Sequence, residues 1–157
     1  MVDISEISAI VAAAGVLVGG FIAVLELRNV VKQRQADMVM GLYATFGSAE
    51  FQKAYQKVAS LEFKDFADYM KKYAADIEVT TGMYSTTVFF EGIGVLAKRK
   101  LINMDLVDDL FSSPISGTLE RVAPIMKGYR ELWKNPSVCE SFEYLYNEMK
   151  KRGQQPA

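Results

Sequence analysis

The sequence predicts an all-α protein, with one N-terminal transmembrane helix followed by a cytoplasmic helical bundle. Three observations predict it. An uncharged apolar run lies near the N-terminus, apolar residues recur at steps of three and four through the rest of the chain, and strand composition is almost absent. The boundaries expected are an anchor over 1–30, a bundle domain over 31–152 and a flexible tail over 153–157.

From Ile7 to Leu25 there is no charged residue, and Ser8 is the only polar one. Nineteen residues at ~1.5 Å each reach roughly 28 Å, close to the ~30 Å hydrocarbon core of a bilayer. Asp3 and Glu6 precede the run, and Arg28, Lys32 and Arg34 follow it. Basic residues stay on the cytoplasmic side, which places the N-terminus outside and the C-terminal domain in the cytoplasm. A cleaved signal peptide fits poorly, because its leader is basic rather than acidic. Ser8, Ala12, Gly15, Gly19 and Ala23 form a small-residue stripe on one face, where a second helix backbone can come close. The stripe is the candidate helix–helix interface; the competing reading is the ordinary abundance of small residues in spans.

Helical spacing continues past the span through Leu27, Val31, Arg34, Met38 and Thr45, so the first helix is expected to run on to about Gly47, with Ser48 capping the next. Phe51, Tyr55 and Val58 mark a second helix. Asp65 caps a third, with Phe66, Tyr69, Met70 and Tyr73 facing inward. A charge-poor fourth runs from about Ile77 to Ala97, and a short fifth starts near Asp105. Ser113-Pro114 reads as the start of a sixth helix, carrying Ile115, Leu119, Val122, Met126, Tyr129 and Trp133, with a kink at Pro124. Asn135-Pro136 reads as the start of a seventh, carrying Val138, Phe142, Leu145 and Met149. Val79–Thr81 and Ser85–Phe90 alone have strand-like composition, and no hairpin turn joins them.

Composition removes several function classes. The 157 residues hold no histidine and one cysteine, with a net charge of −1. The usual general base, the histidine-activated nucleophiles and the commonest transition-metal ligand are therefore missing. Cys139 reads as a small residue on a helix. The overall charge provides no drive toward nucleic acid. Asp105, Asp108 and Asp109 lack the alternation, central glycine and closing glutamate of a calcium loop. No cofactor, metal site or catalytic residue is expected.

Glu91 is the candidate buried carboxylate, the only charge between Glu78 and Lys98. Burial among Val88, Phe89, Phe90 and Ile93 disfavours its ionised form unless a cation pairs with it, with Arg121 and Arg130 as candidates. It reads as a functional acid, as half of a structural ion pair, or as a partly exposed position. The fourth helix could also be a second span, but an intramembrane carboxylate is costly. Lys98-Arg99-Lys100 and Lys150-Lys151-Arg152 suit either anionic headgroups, together with the membrane-surface basic residues Arg28, Lys32 and Arg34, or solvated helix ends.

The N-terminal span with Glu26-Leu27-Arg28 and Lys32-Gln33-Arg34 forms one part of a recognisable pattern. Phe90-Glu91-Gly92-Ile93-Gly94-Val95-Leu96, then Leu101-Ile102-Asn103, Glu131-Leu132-Trp133 and Phe142-Glu143-Tyr144-Leu145, complete it. The chain resembles an uncharacterised prokaryotic family of small membrane-tethered all-helical proteins, catalogued as a domain of unknown function. The resemblance covers nearly the whole chain. It implies a tethered helical domain and carries over no activity, cofactor or catalytic residue.

The function expected is that of a membrane-anchored, non-enzymatic accessory protein. It would dock on the cytoplasmic face of a larger membrane protein complex or self-associate. The alternative is a ligand- or proton-sensing helical domain acting through Glu91. Expected partners are membrane lipid and an integral membrane protein complex or a homo-oligomer, with no nucleic acid.

Overall fold

The computed structural model describes residues 3–153, apart from the side chains of Glu6 and Ile7. Six helices follow one another: α1 (Ile4–Phe46), α2 (Ala49–Ala59), α3 (Phe66–Tyr73), α4 (Ile77–Lys98), α5 (Met104–Trp133) and α6 (Glu140–Gly153). There is no strand among the described residues, and the two stretches of strand-like composition lie inside α4.

Helix α1 has 43 residues, or roughly 64 Å at ~1.5 Å per residue. It crosses the expected anchor–bundle boundary at 30/31 without a break. Among the described residues its outer portion is exposed on all sides, and the first half-buried one is Gln35. Val39 is fully buried, and Leu42 and Phe46 pack against the core. Gly47 then ends the helix and Ser48 caps α2, its hydroxyl accepting from the backbone N–H of Phe51. Asp65 caps α3 in the same way through Asp68 N–H.

The bundle is built around α4. Nine of its residues are buried, so it is a core helix. Phe90 and Ile93 share one buried core with Phe111, Ile115 and Val122 of α5, Phe142 and Leu145 of α6, Val58 of α2 and Val39 of α1. Phe46 plugs the point where α1 ends, with its ring 5.6 Å from Phe111 and edge-on at 88°. Rings of Phe51, Tyr55, Phe89 and Phe90 surround it. Gly82 lets α2 approach closely, since a Cβ there would lie 3.3 Å from the carbonyl oxygen of Ala54.

Three expectations are corrected. The fifth and sixth helices are one, because α5 runs through both Pro114 and Pro124. An internal proline costs ~3 kcal/mol or more through its missing N–H and ring clash. Val107, Phe111, Ile115, Leu119 and Val122 are buried on either side of Pro114, and each such burial stabilises by about 1.5–3 kcal/mol. Packing of both halves on one core therefore outweighs the break. The last helix begins at Glu140 rather than at Asn135-Pro136. Asn135 does accept from Ser137 N–H at 3.0 Å, but the turn stops at Cys139, whose φ of 55° is left-handed. Cys139 accordingly lies in the turn before α6 rather than on a helix. Gly153 closes α6, and the rest of the expected tail, 154–157, lies outside the described residues.

Candidate functional site

Glu91 is half-buried rather than fully buried, on the side of α4 that meets the beginning of α6. Its Oε2 accepts the backbone N–H of Phe142 at 2.7 Å and its Oε1 accepts that of Ser141 at 3.2 Å. The first N–H groups of a helix have no partner within it and carry partial positive charge. A carboxylate from another helix here does the work of an N-cap residue. The residues around it make the approach possible. Phe90 stacks on Phe142, with centroids 5.0 Å apart and planes at 19°. Gly94 lies one turn from Glu91, and a Cβ there would run into the carbonyl of Ser141. Phe90, Glu91 and Gly94 thus form one docking surface for the start of α6. Gly92 faces open space and takes no part.

Neither arginine expected beside Glu91 pairs with it. Arg121 Nη1 donates to the Leu61 carbonyl at 2.8 Å. Arg130 donates through Nε and Nη2 to the Val138 carbonyl, and through Nη1 to Glu143 at 2.7 Å, which clamps the turn before α6. Lys98 reaches Glu140 at 3.1 Å from the other side. Within this clamp Cys139 is half-buried, and burial first, then the Glu91 carboxylate, pushes its thiol up to about 11. The thiolate is the reactive form, so this sulfur is a poor nucleophile near neutrality.

The structure places the other sequence-derived candidates away from this clamp. Ser8, Ala12, Gly15, Gly19 and Ala23 lie on the exposed part of α1, and nothing approaches within 4 Å of a Cβ built at Gly15 or Gly19. The Ser8 hydroxyl is turned back to the Ile4 carbonyl at 2.9 Å. Arg28, Lys32 and Arg34 are exposed on the same helix below the apolar stretch. Among the described residues one helix is long and apolar enough to cross a membrane. It is the helix over Ser8–Phe46, whose most apolar window has a mean hydropathy of 2.4 and is not buried at all.

A separate groove of ≈ 460 Å³ runs between the end of α1, α2 and α4. Phe51, Lys53, Lys57, Glu78, Gly82 and Ser85 line it. Lys57 and Lys53 hold Glu78 at 3.2 and 3.5 Å, which keeps that carboxyl below its usual range. Glu91 does not open into it. Among the described residues no three histidine, cysteine or carboxylate side chains converge on a metal-sized site. The contact that sequence reasoning missed is Gly94 against Ser141. Its only trace in the sequence is a glycine three residues after the lone carboxylate, which any helical glycine would mimic.

A family model described as "Domain of unknown function (DUF4760)" matches residues 9–149. No curated protein and no solved structure matches the chain.

Proposed function

The chain belongs to this family of unknown function, DUF4760, and from its architecture we propose a membrane-anchored, non-enzymatic accessory protein. In this reading α1 crosses the cell membrane once, with its N-terminus outside, and holds the bundle at the cytoplasmic face. There the protein docks on a larger membrane protein complex or on copies of itself.

One observation carries the reading. The most apolar stretch of the chain is covered by none of the chain's own bundle, which is packed without it. Apolar area left in water costs about 25 cal/mol per Å², so a fully exposed apolar helix of this length needs lipid or protein around it. The flanking charges support the orientation through the basic residues Arg28, Lys32 and Arg34. The open face at Gly15 and Gly19 supports a helical partner within the bilayer. Tethering to one surface raises the effective concentration of partners held there.

The test is extraction of native membranes. The chain is expected in the membrane fraction after carbonate washing, and with a co-purifying integral membrane protein or its own copies in mild detergent. Recovery from the aqueous fraction overturns the anchor, and a lone monomer in mild detergent overturns the accessory role.

A further inference from the structure

We propose that the turn joining α4 to α5, through Arg99, Lys100 and Leu101, is a contact surface for the anionic phospholipid headgroups of the bilayer that α1 crosses. The proposal rests on the membrane-anchored reading above and deepens it.

Position along α1 carries the argument. Gln35 is where α1 first meets the bundle, and its Nε2 donates to the Lys100 carbonyl at 3.4 Å. Further along, Tyr43 meets Phe111 and Phe46 meets Phe89 and Phe90. Helix α4 therefore runs antiparallel to α1, and the turn after its C-terminal end lies where α1 first meets the bundle. Arg28, the first basic residue after that stretch, is seven residue steps before Gln35. At ~1.5 Å per step this is roughly 10 Å. The headgroup layer is roughly 5–8 Å deep on each side of a bilayer, and the Debye length is ~8 Å at physiological ionic strength. The turn consequently stands at the edge of the headgroups, where a fixed anionic surface acts on it little screened.

Its chemistry matches that position. Arg99, Lys100 and Leu101 are all exposed, Leu101 at 46 %. Lys100 has a left-handed φ of 55° and its N–H bonds back to Ala97, so the turn is held shut by backbone contacts. That leaves the side chains uncommitted. Among the described residues neither Arg99 nor Lys100 has an ion-pair partner, whereas Lys98 is taken by Glu140. Asp105, the acid nearest along the chain, is held by Arg152 and repels an anionic surface less than a free carboxylate would. An exposed leucine beside two free cations can enter the interface while the cations meet phosphate.

The test uses the full-length chain with Trp133→Phe and Leu101→Trp, which puts the only tryptophan at the turn. It is reconstituted in phosphatidylcholine vesicles with or without phosphatidylglycerol, using lipids brominated near the headgroup. Quenching is expected to be at least twofold stronger with phosphatidylglycerol, and to fall to the neutral-lipid level in Arg99→Gln/Lys100→Gln. Equal quenching in the two lipids, or a double variant that behaves as its parent, overturns the proposal. Relief by inorganic phosphate beyond that of chloride at equal ionic strength also overturns it, since a free-anion site would then explain the data. Failure of the chain to float with neutral vesicles overturns the anchored reading instead, so the two failures are distinct.

Discussion

The Glu91 carboxylate lies 2.7 Å from the backbone nitrogen of Phe142, 51 residues further along the chain, and accepts its hydrogen bond where α6 begins. A side chain of one helix thereby closes the end of another. The docking of α6 on α4 depends on charge and dipole as well as on the Phe90–Phe142 stack.

Replacing Glu91 with alanine removes both acceptors from the first turn of α6. The loss expected is about 1–2 kcal/mol, the usual cost of deleting an N-cap, and Glu91→Gln, which keeps one acceptor oxygen, should lose less. Denaturant midpoints of the detergent-solubilised chain check this, along with hydrogen exchange at Ser141 and Phe142. An alanine variant with parental stability and parental protection at those amides would show that the contact does not hold α6.

Two glycines in the same turn of α4 should respond with opposite sign. Gly94→Ala pushes a methyl into the Ser141 carbonyl and is expected to cost about 1–3 kcal/mol. Gly92→Ala meets open space and should add up to ~1 kcal/mol through helix propensity. Thermal melts of the two variants side by side decide it, and equal shifts would contradict the packing at Gly94.

Lys134 ends α5 with φ 51° and ψ 37°, in the left-handed region, while its N–H closes the last turn. Lys134→Gly removes a side chain that opposes this backbone and is expected to stabilise by about 1 kcal/mol. A lowered melting temperature would mean that the lysine side chain contributes more than its backbone strain costs.

The thiol of Cys139 should be nearly inert to iodoacetamide at pH 8 in the folded chain and fast in denaturant. Its ordinary value is 9.0, raised in the fold to about 11 by burial and by Glu91. The folded rate should climb as pH rises from 9 toward 11. The same shift means that the fold's preference for the neutral thiol is fully present below pH 9 and is lost as pH passes through about 11. Rapid folded-state alkylation at pH 8 would contradict the burial.

Gly15→Leu/Gly19→Leu fills the open face of α1. Under the anchored reading it should lower the assembled mass in mild detergent, measured by light scattering, and leave the bundle's melt unchanged. An unchanged mass would remove the small-residue stripe from the interface.

Elements set by nearby residues were legible in the sequence. The end of α1 at Gly47, the caps at Ser48 and Asp65, and the extent of α4 each follow from local propensity and spacing. What failed were two helix starts and the partner of Glu91, each settled by distant contacts. Pro114 is a good first residue for a helix, and only the shared core on both sides of it carries α5 through. Asn135-Pro136 is equally good as a start, but Arg130 clamps the following turn and Glu91 caps a later one. Glu91 was visible as an odd charge. Its partners were backbone N–H groups, which every sequence possesses and none advertises.

Between Gly20 and Gly41, α1 contains neither glycine nor proline, the residues at which helices usually bend. The rod that leaves the apolar stretch is the same rod that ends in the aromatic cluster around Phe46. In the membrane-anchored reading, with no joint between them, a lean of the outer half would be carried straight to the bundle, swinging it sideways over the surface. Bilayer thickness sets how far a span leans, and through α1 it would also set the pose of everything attached below.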